Sequence, residues 1–404
     1  MTRNLVLLWV GDTISLFGTA IYMLALTLLS ASLTTSALGA GTVLFTSSIP
    51  YLILGLIGGV YADRWDRKRL MIVCDVARAL LVLALPMTML WGHDLIAFHL
   101  AIVGFLVTCF RTFFFPANNA SIPGLVEDKA RLSQVNGYFQ LTRNLAMALG
   151  PALAGWLMLL NLTAIQLLFI DSASYAVSAV CIAFIRFPQT TNQAKKTNVF
   201  VEAWQGSKHL LFEQRSQGVL LLLFGLQILV GTGIMAVAVP RILTQLPNGN
   251  SLYGLFSMVV ALSAAGSAAL MTRTKVKRYE AWMYGGYLLR GFCFLMLGLF
   301  FKYLPVVYAA GTLIGLSYSV SSIPLTTLLQ IKTPPDRMGK VVAIRSTLGN
   351  LGDAFSYVMV GAFISFLGIS AGILMGAFIA ILSTGSAILA LRNEQVRIEQ
   401  EYCA

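Results

Sequence analysis

The sequence predicts an all-α membrane protein of twelve transmembrane helices in two pseudo-symmetric six-helix bundles. Three observations carry this expectation. Of the 404 residues, 57% are hydrophobic and the mean hydropathy is +0.79, which leaves too little polar surface for a soluble chain of this length. The apolar runs are about 20 residues long, the length that crosses a bilayer core. Short polar turns separate them, and one longer polar stretch divides them into two sets of six.

The twelve spans are expected at 5–31, 38–61, 70–91, 95–117, 134–160, 163–186, 217–240, 251–272, 279–302, 305–329, 338–366 and 369–392. The first, from Leu5 to Ala31, is too long for the core of a signal peptide and reads as a retained helix. Residues 187–216 form the long polar stretch, with Lys195, Lys196, Lys208 and Arg215. The expected organisation is therefore a bundle over 1–186, a central loop over 187–216, and a second bundle over 217–404 ending in a short tail.

Charge sets the orientation. With both termini in the cytoplasm, 21 of the 28 Lys and Arg fall on the cytoplasmic side and only Arg241 and Lys302 fall outside. Cytoplasmic loops carry such an excess, so both termini, the central loop and the tail are expected inside. A net charge of +12 would suggest nucleic acid in a soluble domain. Here the cations sit mostly in short loops, so topology explains them and no nucleic-acid partner is expected.

Other classes lose support. The five cysteines are Cys74, Cys109, Cys181, Cys293 and Cys403, with no CxxC pair and four of them inside apolar runs. They read as small hydrophobes, and no metal site or cofactor is expected. There is no GxxxxGK[ST] of a nucleotide-driven pump, and no HExxH or GxSxG of an intramembrane enzyme. A membrane receptor remains as a non-transport alternative, although no soluble sensing domain stands out.

The halves echo each other. A shift of 208 places Pro116 on Pro324, Asp128 on Asp336 and Lys129 on Arg337, at the ends of spans 4 and 10. A duplicated six-helix unit would produce this match.

Between spans 2 and 3 lies "GGVYADRWDRKRL", in which six of the seven residues from Asp63 to Arg69 are charged. Gly59, Asp63, Arg64, Arg67 and Lys68 fit G-x-x-x-D-R-x-x-R-K. Gly55 and Gly59 give the second span a small face where another helix can approach. Asp63 can accept hydrogen bonds at a facing helix start, whose dipole favours an anion. The turn serves either as a topology anchor or as a latch joining and releasing the cytoplasmic ends of the halves. Asp75 and Arg78, at i and i+3 in span 3, read as a structural pair joined to it.

This pattern resembles the loop 2–3 signature of the major facilitator superfamily. The resemblance implies that span 11, starting near Met338, faces Asp63. Gly150, Pro151 and Gly155 in "LGPALAGWL" resemble the G-P-x-x-x-G part of that family's antiporter motif. Proline bends such a helix. Ala146, Gly150 and Ala154 form a small row, as do Ala261, Ala265 and Ala269 in span 8, so spans 5 and 8 are expected to pack closely. Arg111, Pro116, Ala117, Ala120, Ile122, Pro123, Leu125 and Val126 resemble a pattern of the macrolide-efflux and siderophore-exporter branch, as does "LFIDSASYAVSA" in span 6. Many members carry an acid after the glycine of "LFG" in the first helix. Here that position is Thr19, and the acid of the span is Asp12.

Four aspartates lie within spans: Asp12, Asp75, Asp171 and Asp353. Five arginines do too: Arg78, Arg111, Arg143, Arg290 and Arg345. Such charges are costly in a bilayer and face partners or a wet cavity. Asp353 falls about 22 Å along span 11, near mid-membrane. It suits proton coupling, with Asp12 and Asp171 as further candidates; a fixed salt bridge is the alternative for each. Arg111, Arg143, Arg290 and Arg345 could grip an anionic substrate through forked hydrogen bonds, or neutralise acids and backbone carbonyls.

The resemblance implies a monomeric, proton-coupled exporter of drug-like compounds or siderophores in a bacterial inner membrane, working by alternating access. A carrier for an anionic polycarboxylate, running inward or outward, is the runner-up. The expected partners are a small-molecule substrate, protons and the lipid bilayer.

Overall fold

The computed structural model describes residues 2–92, 94–126, 132–186, 215–273, 278–333 and 338–403. Side chains within helices are left undescribed at 55–64, 133, 147–148, 215–216, 272–273, 338–340, 342–343 and 391–403. Twelve helical segments follow in order among the described residues: α1 Arg3–Leu33, α2 Ala37–Arg64, α3 Arg67–Leu90, α4 Ala97–Leu125, α5 Leu132–Leu159 and α6 Ala164–Ala183. Then come α7, made of Arg215–Gly233, Ile234–Ala238 and Val239–Leu243, and α8 Gly249–Arg273. The last four are α9 Tyr279–Phe300, α10 Leu304–Lys332, α11 Met338–Leu367 and α12 Ile369–Cys403. Eleven of them are long and apolar enough to cross a membrane by the described residues alone. The twelfth helix, α5, is 28 residues long and opens on the polar stretch "LSQVNGYFQLTRN".

Apolar side chains on every face explain why these segments are helices rather than sheets. In a bilayer a helix satisfies its own backbone polar groups. The ends are set by capping. Thr163 opens α6 with a reciprocal box: its hydroxyl accepts from the Gln166 amide at 3.3 Å, and its own amide donates to the Gln166 side chain at 2.8 Å. Gly368 alone separates α11 from α12. It has φ +88°, a left-handed conformation that glycine adopts without a steric penalty.

Chain contacts divide the molecule into two compact units. The first comprises Met1–Thr35, Thr42–Thr197 and Leu243–Met258; the second comprises Ser36–Gly41, Asn198–Ile242 and Val259–Ala404. In the first, α1 packs on α4, α5 and α6, while α3 packs on α4 and α6. In the second, α7 packs on α10, α11 and α12, while α9 packs on α10 and α12. The pairing pattern repeats with every helix number raised by six.

Close helix contacts rest on small residues, as expected where lipid removes the hydrophobic drive between helices. A Cβ on Gly18 would overlap Ser174 of α6, and one on Gly104 would overlap Ser47 of α2. α7 is interrupted: Ile234–Ala238 is π-helical, with the Val239 amide reaching back to the Ile234 carbonyl. Pro240 follows one residue later and cannot donate to the preceding turn, which accounts for the widening.

Candidate functional site

The charged turn is partly visible. Asp66 caps α3 by accepting from the Arg69 amide at 2.8 Å. Arg67 donates to the Ala120 carbonyl at 2.7 Å. Lys68 donates to the carbonyls of Ala183 and Ile185, at 2.7 and 2.8 Å. These carbonyls lie near the ends of α4 and α6. Cations at helix C-termini satisfy orphan carbonyls and oppose the helix dipole. The side chains of Gly59, Asp63 and Arg64 lie outside the described residues, as do Asp128, Lys129, Asp336 and Arg337.

About two to three turns deeper in α3, Arg78 donates to Asp75. Asp75 is fully buried, and Arg78 is 2% exposed. The guanidinium carbon stands 4.5 Å from the Phe114 ring centroid on α4 and 4.3 Å from that of Tyr175 on α6. This pair ties α3 to both neighbours.

The helix-5 motif splits between two partners. A Cβ on Gly150 would overlap Ala20 of α1, and one on Gly155 would overlap the Gly254 carbonyl of α8 inside the first unit. The close approach of α5 to α8 therefore runs through Gly155 and Gly254. Gly150, the middle of the small row read from the sequence, packs on α1 instead.

The first unit holds a polar cluster among α1, α4 and α5. Asn118 donates to Asp12 Oδ1 at 2.8 Å. Arg143 Nη2 lies 4.0 Å from Asp12 Oδ2, donates to Asn119 at 2.7 Å, and sits 4.6 Å from the Phe115 ring centroid. Trp9 donates to Thr142 at 2.9 Å, bracing the same helices. Arg111 is placed apart from this cluster, 5.9 Å from the Tyr51 ring centroid.

Asp171 is fully buried on α6. Ser174 donates to its backbone carbonyl at 2.7 Å and lies 3.4 Å from Oδ1. Among the described residues, Oδ2 has no hydrogen-bond partner. Glycine at position 18 of α1 leaves room for both side chains.

The second unit pairs its charges differently. Asp353, fifteen residues into α11, accepts from Thr232 at 2.7 Å, just before the π turn of α7. Ser356, one turn on, accepts from the Gly233 amide at 2.6 Å. Arg290 is 4% exposed; it donates to Ser317 at 3.1 Å and Ser321 at 2.9 Å, with the Tyr318 ring centroid at 4.1 Å. Arg345 donates to Thr326 at 2.8 Å, beside Phe224 with its centroid at 5.0 Å. The structure thus joins Asp12 with Arg143 and Asp75 with Arg78. Among the described residues, Asp353 meets the Thr232 hydroxyl, and Arg290 and Arg345 meet hydroxyls and rings.

Several partners escaped the sequence reading: Asn118, Asn119, Thr232, Ser317, Ser321 and Ser356. A signal existed for some. Two asparagines in an apolar run are costly for the same reason as a charge, and Ser317 and Ser321 share a helix face at i and i+4.

Two repeated bundles of membrane-length helices, with ionisable groups buried among them, define a multi-pass membrane transporter rather than an enzyme. The chain belongs to the Major Facilitator Superfamily, whose family model matches residues 8–357. It is 25% identical over 395 residues to the uncharacterized MFS-type transporter YfiS of Bacillus subtilis (strain 168), covering 90% of this chain and 89% of that protein. It is 24% identical over 404 residues to macrolide efflux protein A of Streptococcus pyogenes, covering 93% and 92%. The multidrug efflux pump Tap of Mycolicibacterium fortuitum is 23% identical over 344 residues, covering 81% and 80%. The fold matches that of nucleoside transporter NupG, with TM-score 0.73 at 13% identity over 97% of this chain and 99% of that one. The D-xylose-proton symporter matches with TM-score 0.72 at 13% identity, over 95% and 96%.

Proposed function

We propose that this transporter is a proton-coupled exporter of small organic molecules, with Asp353 as its proton carrier and Asp12 as second choice. One observation carries the choice. Asp353 accepts a short bond from a hydroxyl at 2.7 Å, where Asp171 has only Ser174 at 3.4 Å, Asp75 is bound to an arginine, and Asp12 has both Asn118 and Arg143 beside it. A carboxylate held by a hydroxyl can gain or lose a proton without breaking an ion pair. Its depth of about 22 Å along α11 suits a carrier reached from both faces in turn. The efflux assigned to macrolide efflux protein A and Tap supports the outward direction.

The remaining assignments follow from the sequence. Both termini face the cytoplasm of a bacterial inner membrane, residues 187–216 link the two bundles, and the chain works as a monomer. The turn containing Asp63 acts as a latch released during alternating access. A second reading, carriage of an anionic polycarboxylate or siderophore, is favoured by Arg290 and Arg345, which meet hydroxyls and rings rather than carboxylates.

The test uses inverted vesicles with an imposed pH gradient, screened over amphipathic drugs, siderophores and hydroxycarboxylates. Substrate addition should move protons, and Asp353→Asn should abolish uphill flux while keeping substrate exchange. Unchanged uphill flux in Asp353→Asn would remove it as the carrier. Flux that ignores the pH gradient in the native protein would remove proton coupling altogether.

A further inference from the structure

The second unit contains an open cavity of about 560 Å³ between α7 and α11. Leu226 and Leu229 line one wall, and Leu348, Leu351, Gly352 and Phe355 the other. Its lining is almost wholly apolar, and it lies at a depth where the helices are apolar enough to span a membrane.

Polar residues stand one turn beyond the lining on each helix. Thr232 lies one turn beyond Leu229 on α7 and holds Asp353. Arg345 lies one turn before Leu348 on α11, half-buried, with the Phe224 ring beside it. A guanidinium has five N–H donors. The Arg345 hydrogen bond found here goes to the Thr326 hydroxyl, and among the described residues its charge meets no carboxylate. Arg290 adds a second cation with neutral partners, and Tyr287 lies in the field of both arginines. Of the acids in the spans of the second unit, Glu280 is taken by Lys332 at 3.0 Å and Asp353 by Thr232 at 2.7 Å.

We propose that this cavity binds an amphipathic organic anion, with its charged head on Arg345 and its apolar body between α7 and α11. The apolar walls give a ligand body somewhere to go but do not distinguish charge. Arg345, one turn before the lining residue Leu348 and beside Phe224, does: it repels a cationic head, gives a neutral one an ordinary hydrogen bond, and gives an anionic one a charge-assisted bond. The inference names the substrate class of the transporter and rests on the transport reading only in calling the anion a substrate.

The test is a binding measurement on the full chain in phosphatidylcholine nanodiscs, with empty discs subtracted. Three ligands share one apolar body: naphthalene-2-sulfonate, naphthalene-2-methanol and naphthalen-2-ylmethylammonium. The sulfonate should bind at least about tenfold more tightly than the alcohol, and the ammonium most weakly. Arg345→Gln should erase the margin of sulfonate over alcohol, and Arg345→Lys should restore part of it. Leu226→Trp, which fills the cavity from a partly exposed position, should weaken sulfonate and alcohol together. Equal binding of all three ligands overturns the proposal, as does an unchanged sulfonate affinity in Arg345→Gln. A native protein whose sulfonate binding vanishes in phosphatidylglycerol discs, and which moves no sulfonate in liposomes, assigns the cavity to a bilayer lipid and also overturns it. No pH gradient enters the binding arm. Failure of proton-driven flux with sulfonate binding intact would therefore touch the coupling reading alone.

Discussion

Arg78 and Arg290 occupy the same place in the two repeats, but among the described residues only Arg78 has a carboxylate partner. Each lies eleven residues into its helix, from Arg67 in α3 and from Tyr279 in α9. Three residues earlier stands Asp75 in the first case and Tyr287 in the second. Each guanidinium also faces an aromatic ring on the next helix, Phe114 for Arg78 and Tyr318 for Arg290. The first unit therefore closes this charge internally, and the second leaves it on serines and tyrosines.

That difference predicts unequal costs of removal. Arg78→Gln leaves Asp75 buried and unpaired, which should destabilise the protein by about 3–5 kcal/mol. The double variant Asp75→Asn with Arg78→Gln should recover most of the loss. Arg290→Gln should cost less, because Ser317 and Ser321 keep their own bonds to the Ile314 and Ser317 carbonyls and no carboxylate is stranded. Thermal unfolding of the purified variants measures the order; equal losses for Arg78→Gln and Arg290→Gln would reject the argument.

Much of this fold was legible because lipid imposes a simple code. Runs of about 20 apolar residues give the helices directly. Partner choice was less legible. Asp12 meets Asn118 and Asp353 meets Thr232, pairs more than 100 residues apart that no local pattern joins. The correspondence of Arg78 with Arg290 was hidden for another reason. The ends of spans 4 and 10 align at a shift of 208, whereas the third helices align at 212, so one fixed offset misses the arginines. The π turn left its trace in Pro240, whereas the bond from the Gly233 amide to Ser356 of another helix has no local signature.

Packing of α1 on α6 gives a second test. Gly18→Leu places a bulky side chain where Ser174 and Asp171 already sit, so α1 should be displaced. Loss of folded protein after gentle heating should be large. Gly18→Ala should be milder, and adding Ser174→Gly should rescue it by clearing the overlap. A Gly18→Leu variant as heat-resistant as the parent would contradict the close approach.

In the Asp12 cluster, Asn118→Leu removes the donor that holds Oδ1 at 2.8 Å. The carboxylate then leans on Arg143 alone, now 4.0 Å away. If Asp12 acts in coupling, uphill flux should fall several-fold while Asn118→Asp, which repels Asp12, should fall further. If Asp12 is structural, both variants should lose folded protein in proportion to flux. Flux per folded molecule separates the two cases.

The charged turn permits the last separation, between anchoring and latching. Lys68 reaches the Ala183 and Ile185 carbonyls, and Arg67 reaches that of Ala120. These contacts hold α3 to the ends of α4 and α6 whatever the transport state. Lys68→Gln should therefore lower thermal stability by about 1 kcal/mol or less, given how exposed such bonds are. Turnover per folded molecule should stay near that of the parent. Asp63→Asn should do the reverse: near-native stability, with turnover slowed because the latch no longer engages. The two variants are compared by unfolding temperature and by flux normalised to folded protein. An Asp63→Asn transporter with native turnover defeats the latch and leaves the whole turn as a topology anchor, the role that its cluster of cations would fill on charge alone.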